Sequence, residues 1–103
     1  MPSDALTATS FCLRGEQTVR TIAETHGALA KFYASADAIA IDASGLTDAD
    51  LTLVQLIEAV RRSAARDQKR LCLSSPLPDA LRDVLVRGGF LNAPDDALFW
   101  SAP

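Results

Sequence analysis

The residues best suited to chemistry in this sequence are a run of aspartates, a few hydroxyls, two thiols and one imidazole. Asp42, Asp48 and Asp50 stand close together, with Ser44 between the first two and Thr52 just beyond. Carboxylates gathered where a strand ends are the kind of set that holds magnesium in phospho-acceptor domains. Such a centre needs a companion Lys or His, and none stands in this stretch. The same aspartates suit a helix start, where unpaired backbone N–H groups and the dipole favour negative charge. Asp48 and Asp50 are therefore read as capping residues, with Asp50 at the N-cap and the Thr52 hydroxyl in the first helical turn. The single histidine, His26, comes four residues after Ile22 and three before Leu29. That places it on or beside a buried helical stripe, in a structural or surface role. Cys12 lies between Phe11 and Leu13, and Cys72 between Leu71 and Leu73. Apolar neighbours predict buried thiols on strands, and the spacing is not that of metal ligands. There is no G-x-G-x-x-G and no G-x-x-x-x-G-K-[ST] to cradle a nucleotide. The residues predict no catalytic set, no cofactor and no metal site.

The elements that position these residues follow from hydrophobic spacing. Ser10-Phe11-Cys12-Leu13-Arg14 reads as a strand stopped by Gly15, with a weak strand before it near Leu6 to Thr9. Thr21 and Glu24 have the spacing of a capping box, and Ile22, Leu29, Phe32, Tyr33 and Ala36 recur at helical intervals. A helix is predicted from about Ile22 to about Ser35. Ala38-Ile39-Ala40-Ile41-Asp42-Ala43 reads as a central strand covered on both faces, broken by Ser44-Gly45. A second helix carries Leu53, Leu56, Ile57, Val60 and Ala64, with Arg61, Arg62 and Arg66 towards its end. Leu71-Cys72-Leu73 is a short strand. Pro76, Pro78 and Asp79 lead into a third helix with Leu81, Val84 and Leu85, which Gly88-Gly89 ends. Residues 92–103 read as a C-terminal extension: a linker and then Leu98-Phe99-Trp100, which is expected to fold back. Alternating strands and helices imply an α/β domain with helices packed on a mainly parallel sheet and right-handed crossovers.

The chain has 103 residues, which suits one domain, and 49% of them are apolar, which suits a packed core. The formal net charge is −3. Phosphate binding needs a surplus of Lys and Arg, so nucleic acid is not the expected partner. No apolar run is long enough to enter and cross a bilayer. Met1-Pro2-Ser3-Asp4 has neither the basic region nor the apolar stretch of a signal peptide, so a cytoplasmic location is expected.

The stretch from Ile41 to Leu53 carries a resemblance. In STAS domains of bacterial anti-sigma-factor antagonists, a strand ending in Asp-x-Ser-Gly leads through a short loop to Asp-Ser-Ser-Gly-Leu at a helix start. Asp42, Ser44 and Gly45 match the first part, and Asp50 falls on the Asp that opens the second. Thr52 stands at the Ser that a kinase-type anti-sigma factor phosphorylates in sporulation-type antagonists. Leu51 and Leu53 depart from the pattern, replacing the first Ser and the Gly. Gly15-Glu16 leading to Thr21 resembles the family's Gly-Glu-Leu segment. Ser75-Pro76, Ala80-Leu81-Arg82 and Gly88-Gly89-Phe90 resemble its third helix. The resemblance spans about Phe11 to Leu91, and both ends look abbreviated.

The resemblance implies the STAS-like fold: a mixed, mostly parallel sheet of about four strands flanked by about three helices. It also implies a protein-binding regulatory module rather than an enzyme, a monomer or weak homodimer, with Thr52 as phospho-acceptor. The expected partner is an anti-sigma factor or serine/threonine kinase. Docking is expected over Thr52 and Gln55, with Leu51 or Leu53 as an apolar anchor and Ser44, Asp48 and Asp50 beside them. Some small STAS proteins are instead accessory subunits of phospholipid-trafficking ABC transporters, bound to the ATPase without phosphorylation, and others are signalling adaptors. A metal-dependent phospho-acceptor built on Asp42 and Asp50 is the remaining alternative.

Overall fold

A computed structural model of the chain describes residues 9–101. The elements run β1 (Thr9–Gln17), α1 (Ile22–Ser35), β2 (Ala38–Ala49), α2 (Leu51–Asp67), β3 (Arg70–Leu73), α3 (Asp79–Gly88) and α4 (Pro94–Trp100). The strands pair in the order β1-β2-β3, all parallel, with β2 in the centre. Parallel neighbours need a crossover, and α1 and α2 supply the two that build this sheet. The described sheet thus has three strands rather than four and is parallel rather than mixed. The weak strand expected near Leu6 lies outside the described residues except for Thr9.

β1 and β2 both run past their expected ends. Gly15 does not stop β1 and Ser44-Gly45 does not break β2, because the two strands continue to pair through two register shifts. The glycines make the irregular stretch possible. Gly15 has φ +64, a region that side chains with a Cβ avoid. A Cβ on Gly45 would meet Arg14 Cγ at 3.1 Å, so its absence lets the strands stay close.

One core holds the molecule together. Leu13, Ile39, Ile41, Ala43 and Leu73 point from the sheet to Leu53, Val54 and Ile57 of α2, Leu81 and Leu85 of α3, and Trp100 of α4. Ile22, Phe32 and Tyr33 of α1 pack against the same cluster. Each fully buried side chain of this size contributes about 1.5–3 kcal/mol. Both crossovers step in the same direction, β1 to β2 to β3, so right-handed connections put α1 and α2 on one face.

That arrangement corrects the reading of the thiols. Side chains alternate along a strand, so Cys12 and Cys72, next to the inward Leu13 and Leu73, point to the opposite face. Both are exposed free thiols. β2 is central as expected, and Ala38, Ile39, Ala40 and Ile41 are all buried, so side chains on both of its faces are shielded over that stretch. β2 also separates the two cysteine strands, and two strand spacings of roughly 4.8 Å exceed the reach of a disulfide.

The helix ends also differ from expectation in places. Thr21 occupies the N-cap of α1 without capping it by its side chain, so the box with Glu24 does not form. Its Oγ1 instead accepts from the Thr18 amide at 3.0 Å and donates to the Glu16 carbonyl at 2.9 Å. α3 ends as expected at Gly89, whose φ of +75 lets its N–H reach the Leu85 and Val86 carbonyls. The C-terminal stretch, expected as a linker, forms the short helix α4 and folds back. Trp100 is buried, and its Nε1 donates to Glu58 at 3.2 Å. Arg61 ties α4 down through Asp96 at 3.0 Å and lies 4.4 Å over the Phe99 ring.

Candidate functional site

Asp50 organises the first turn of α2. It sits at the N-cap in an extended conformation, and its Oδ1 accepts from the Thr52 amide at 3.0 Å. The Thr52 hydroxyl donates to the same oxygen. The other oxygen, Oδ2, accepts from the Val19 amide at 2.9 Å, across to the loop between β1 and α1. One carboxylate therefore caps a helix and fixes a loop far away in sequence. Burial pushes the Asp50 carboxyl upward. Hydrogen bonds from the Thr52 hydroxyl and the Val19, Thr52 and Leu53 amides together outweigh it and hold the carboxyl below its ordinary value.

The loop that Asp50 grips is itself held by polar contacts. Gln17 and Thr18 are buried. Gln17 Nε2 donates to the Arg14 carbonyl at 3.0 Å, and its Oε1 accepts from Thr25. Thr18 Oγ1 donates to Glu16 at 2.6 Å. These bonds leave Val19 standing out, 68% exposed.

Around Thr52 the residues divide sharply. Thr52 is half-buried, and Leu51 and Gln55 are exposed, Leu51 at 46%. Leu53, Val54 and Ile57 are fully buried. Leu53 is therefore core, not surface, and of the two leucines only Leu51 is available to a partner. Asp48 does not cap the helix either. It lies in β2 opposite Glu16, exposed, because the strand extends to Ala49.

Ser44 belongs to a separate cluster. Its amide and hydroxyl donate to Asp42 Oδ1 at 2.9 and 2.7 Å, and the Ser75 hydroxyl joins them at 3.0 Å. The Ser44 hydroxyl, the Ser44 amide and the Ser75 hydroxyl, in that order, hold the Asp42 carboxyl below its ordinary value. Asp42 and Asp50 are thus each engaged by local donors. Among the described residues no group of three or more His, Cys, Asp or Glu is placed to hold a metal ion.

Surface grooves flank α2 among the described residues, two of them beside its N-terminal half. One, of about 210 Å³, runs between α1 and α2 and is lined by His26, Leu29, Tyr33, Leu56 and Val60 among others. His26 is exposed at this groove. The other, of about 380 Å³, lies between the start of α2 and the end of α3, lined by Ala49, Asp50, Leu51, Val84, Arg87 and Gly88. Sequence reasoning missed Val19. Val19 did leave a signal, as a lone aliphatic residue in the polar run from Glu16 to Thr21.

A parallel α/β sheet whose central strand leads, through Asp-x-Ser-Gly, to a capped helix start that carries a hydroxyl in its first turn defines a STAS-type module. The chain belongs to the STAS domain family: the family model described as "Mlab, STAS domain" matches residues 5–92. No curated protein matches the chain. STAS domains generally mediate protein–protein interaction. Among the described residues no helix is long and apolar enough to cross a membrane.

Proposed function

We propose that this STAS domain is a protein-binding regulatory module of the anti-sigma-factor-antagonist type, docking its partner on the first turn of α2. The observation that carries the reading is the half-buried Thr52, set between exposed Leu51 and Gln55, with its hydroxyl held by Asp50. Ordered backbone, an apolar anchor and polar neighbours make a surface another protein can read.

Thr52 is the proposed switch. A phosphate there removes the O–H that Asp50 accepts and adds about −1.5 to −2 charges beside that carboxylate. The dipole of the helix start offsets part of that repulsion within the fold. A partner surface fitted to a neutral hydroxyl has no such compensation and loses its fit.

The second reading, an accessory subunit bound to the ATPase of a phospholipid-trafficking ABC transporter, is favoured by one observation. Leu53, at the position of the family's Gly, is fully buried, so the close backbone approach that Gly allows is replaced by core packing. Co-purification separates the readings: a kinase-type anti-sigma factor supports the first, an ATPase subunit the second. With the partner in hand, Thr52→Glu is expected to weaken binding by about tenfold or more, roughly 1.4 kcal/mol. Thr52→Ser is expected to bind as wild type, and thermal melts of both variants to stay near wild type. Equal affinities of wild type and Thr52→Glu, measured by titration calorimetry, reject the docking site.

A further inference from the structure

We propose that Asp50 is a latch between the two segments it joins: a phosphate on Thr52 drives its carboxylate off the Val19 amide and frees the tip of the loop between β1 and α1. This rests on the reading of Thr52 as the phospho-acceptor. The covalent step is phosphoryl transfer. Thr52 Oγ1 bonds to the γ-phosphorus of a nucleoside triphosphate brought by the kinase, the bond to the diphosphate breaks, and the hydroxyl proton passes to a base of the kinase.

The geometry confines the effect to the loop tip. The Val19 amide donates to Asp50 Oδ2 at 2.9 Å, and among the described residues no other hydrogen bond joins this loop to α2. The turn beneath has its own bonds. The Thr21 and Ile22 amides donate to the Thr18 carbonyl at 2.9 and 2.8 Å, and the Thr18 amide donates to Thr21 Oγ1 at 3.0 Å. At its base Gln17 pairs with Ala49 in the sheet. Release of Asp50 therefore frees Val19 and leaves the turn formed. Val19 is 68% exposed, so little packing holds it once that bond is gone.

Charge opens the latch. The Thr52 hydroxyl donates to Asp50 Oδ1, and a phosphate ester has no proton to give at that oxygen. It puts about −1.5 to −2 charges where there was an attraction. The donors at the helix start are already engaged by Asp50, the Thr52 amide at Oδ1 at 3.0 Å and the Leu53 amide at the backbone carbonyl at 3.2 Å. Phosphate oxygens compete for the Thr52 amide, and the weaker anion is the one displaced. Glu16 and Asp48, partners across β1 and β2, add like charge nearby. Arg20, on the same loop, already faces Glu16 at 3.9 Å.

The test is amide–water exchange by NMR on the intact chain, with phosphothreonine placed at Thr52 by codon reassignment. Phosphorylation is expected to speed exchange at Val19 at least about tenfold, to the rate of Asp50→Asn, while Ile57 and Val60 within α2 keep wild-type rates. Thr52→Val loses the hydroxyl without adding charge, so Asp50 keeps its hold and exchange at Val19 stays within about threefold of wild type. No partner takes part, so the outcome is separate from that of the docking reading. Equal exchange at Val19 with and without phosphate overturns the latch and leaves the α2 docking surface, with its own binding test, standing. Slower exchange, the sign of Arg20 or Arg87 closing over the phosphate, overturns it too. So does Thr52→Val if it accelerates Val19 as much as phosphate does, because the lost hydroxyl and not the charge is then the cause. Acceleration at Ile57 and Val60 in step with Val19 overturns it as a general loosening of the fold.

Discussion

Asp50 does two jobs with two oxygens, and substitutions can separate them. Asp50→Ala removes the cap, a loss of about 1 kcal/mol for an ordinary N-cap, together with the tie to Val19. Asp50→Asn keeps one acceptor for the helix but presents an amide NH2 to Val19, which needs an acceptor. Asp50→Asn is therefore expected to leave α2 intact while amide hydrogen exchange at Val19 and Arg20 accelerates. The pH dependence follows from the lowered folded-state carboxyl. Its stabilising contribution is full above the unfolded value, about 4, and is lost as pH falls through the lower folded value. In urea melts, the stability gap between wild type and Asp50→Asn should be present at neutral pH and narrow in acid. A gap unchanged at low pH would show that the charge plays no part.

At the scale of the element, α2 serves two environments along one helix. Its first turn offers Leu51, Thr52 and Gln55 outward, while Leu53, Val54 and Ile57 are sealed in the core. A helix of 3.6 residues per turn can do this only because neighbouring positions point in different directions. The Leu at position 53 is therefore a structural commitment. Leu53→Gly, which restores the family's residue, removes a core side chain and places Gly within a helix. The expected loss is about 3–5 kcal/mol, enough to unfold much of a small domain at room temperature. Chemical denaturation followed by circular dichroism measures it. A cost under about 1 kcal/mol would mean the position is not packed as described.

At the scale of the whole molecule, the C-terminal stretch is part of the fold. α4 puts Trp100 into the same core as β2 and α2, and Arg61 holds it by an ion pair and a ring contact. Trp100→Ala is expected to cost about 3–5 kcal/mol. Trp100 is the chain's one tryptophan, so its emission should be blue-shifted when folded and move red in denaturant. Red-shifted emission from the native protein would contradict its burial. On the opposite face of the sheet Cys12 and Cys72 stand exposed.

The sequence alone determined what depends on near neighbours. The span of α1, the N-cap at Asp50, the αL end at Gly89 and the order of strands and helices from β1 to α3 were legible because propensity, capping and periodicity act over a few residues. The Asp42, Ser44, Gly45 and Asp50 pattern likewise pointed to the family. Only the tertiary structure decided which face each apolar strand residue meets, since Phe11-Cys12-Leu13 looks uniformly apolar until the helices settle on one side. It also decided that Asp50 reaches Val19, that Leu53 is core and Leu51 is not, and that Arg87 stands beside Leu51. These are contacts between segments distant in the chain, set by how the layers pack, and short-range patterns carry no record of them.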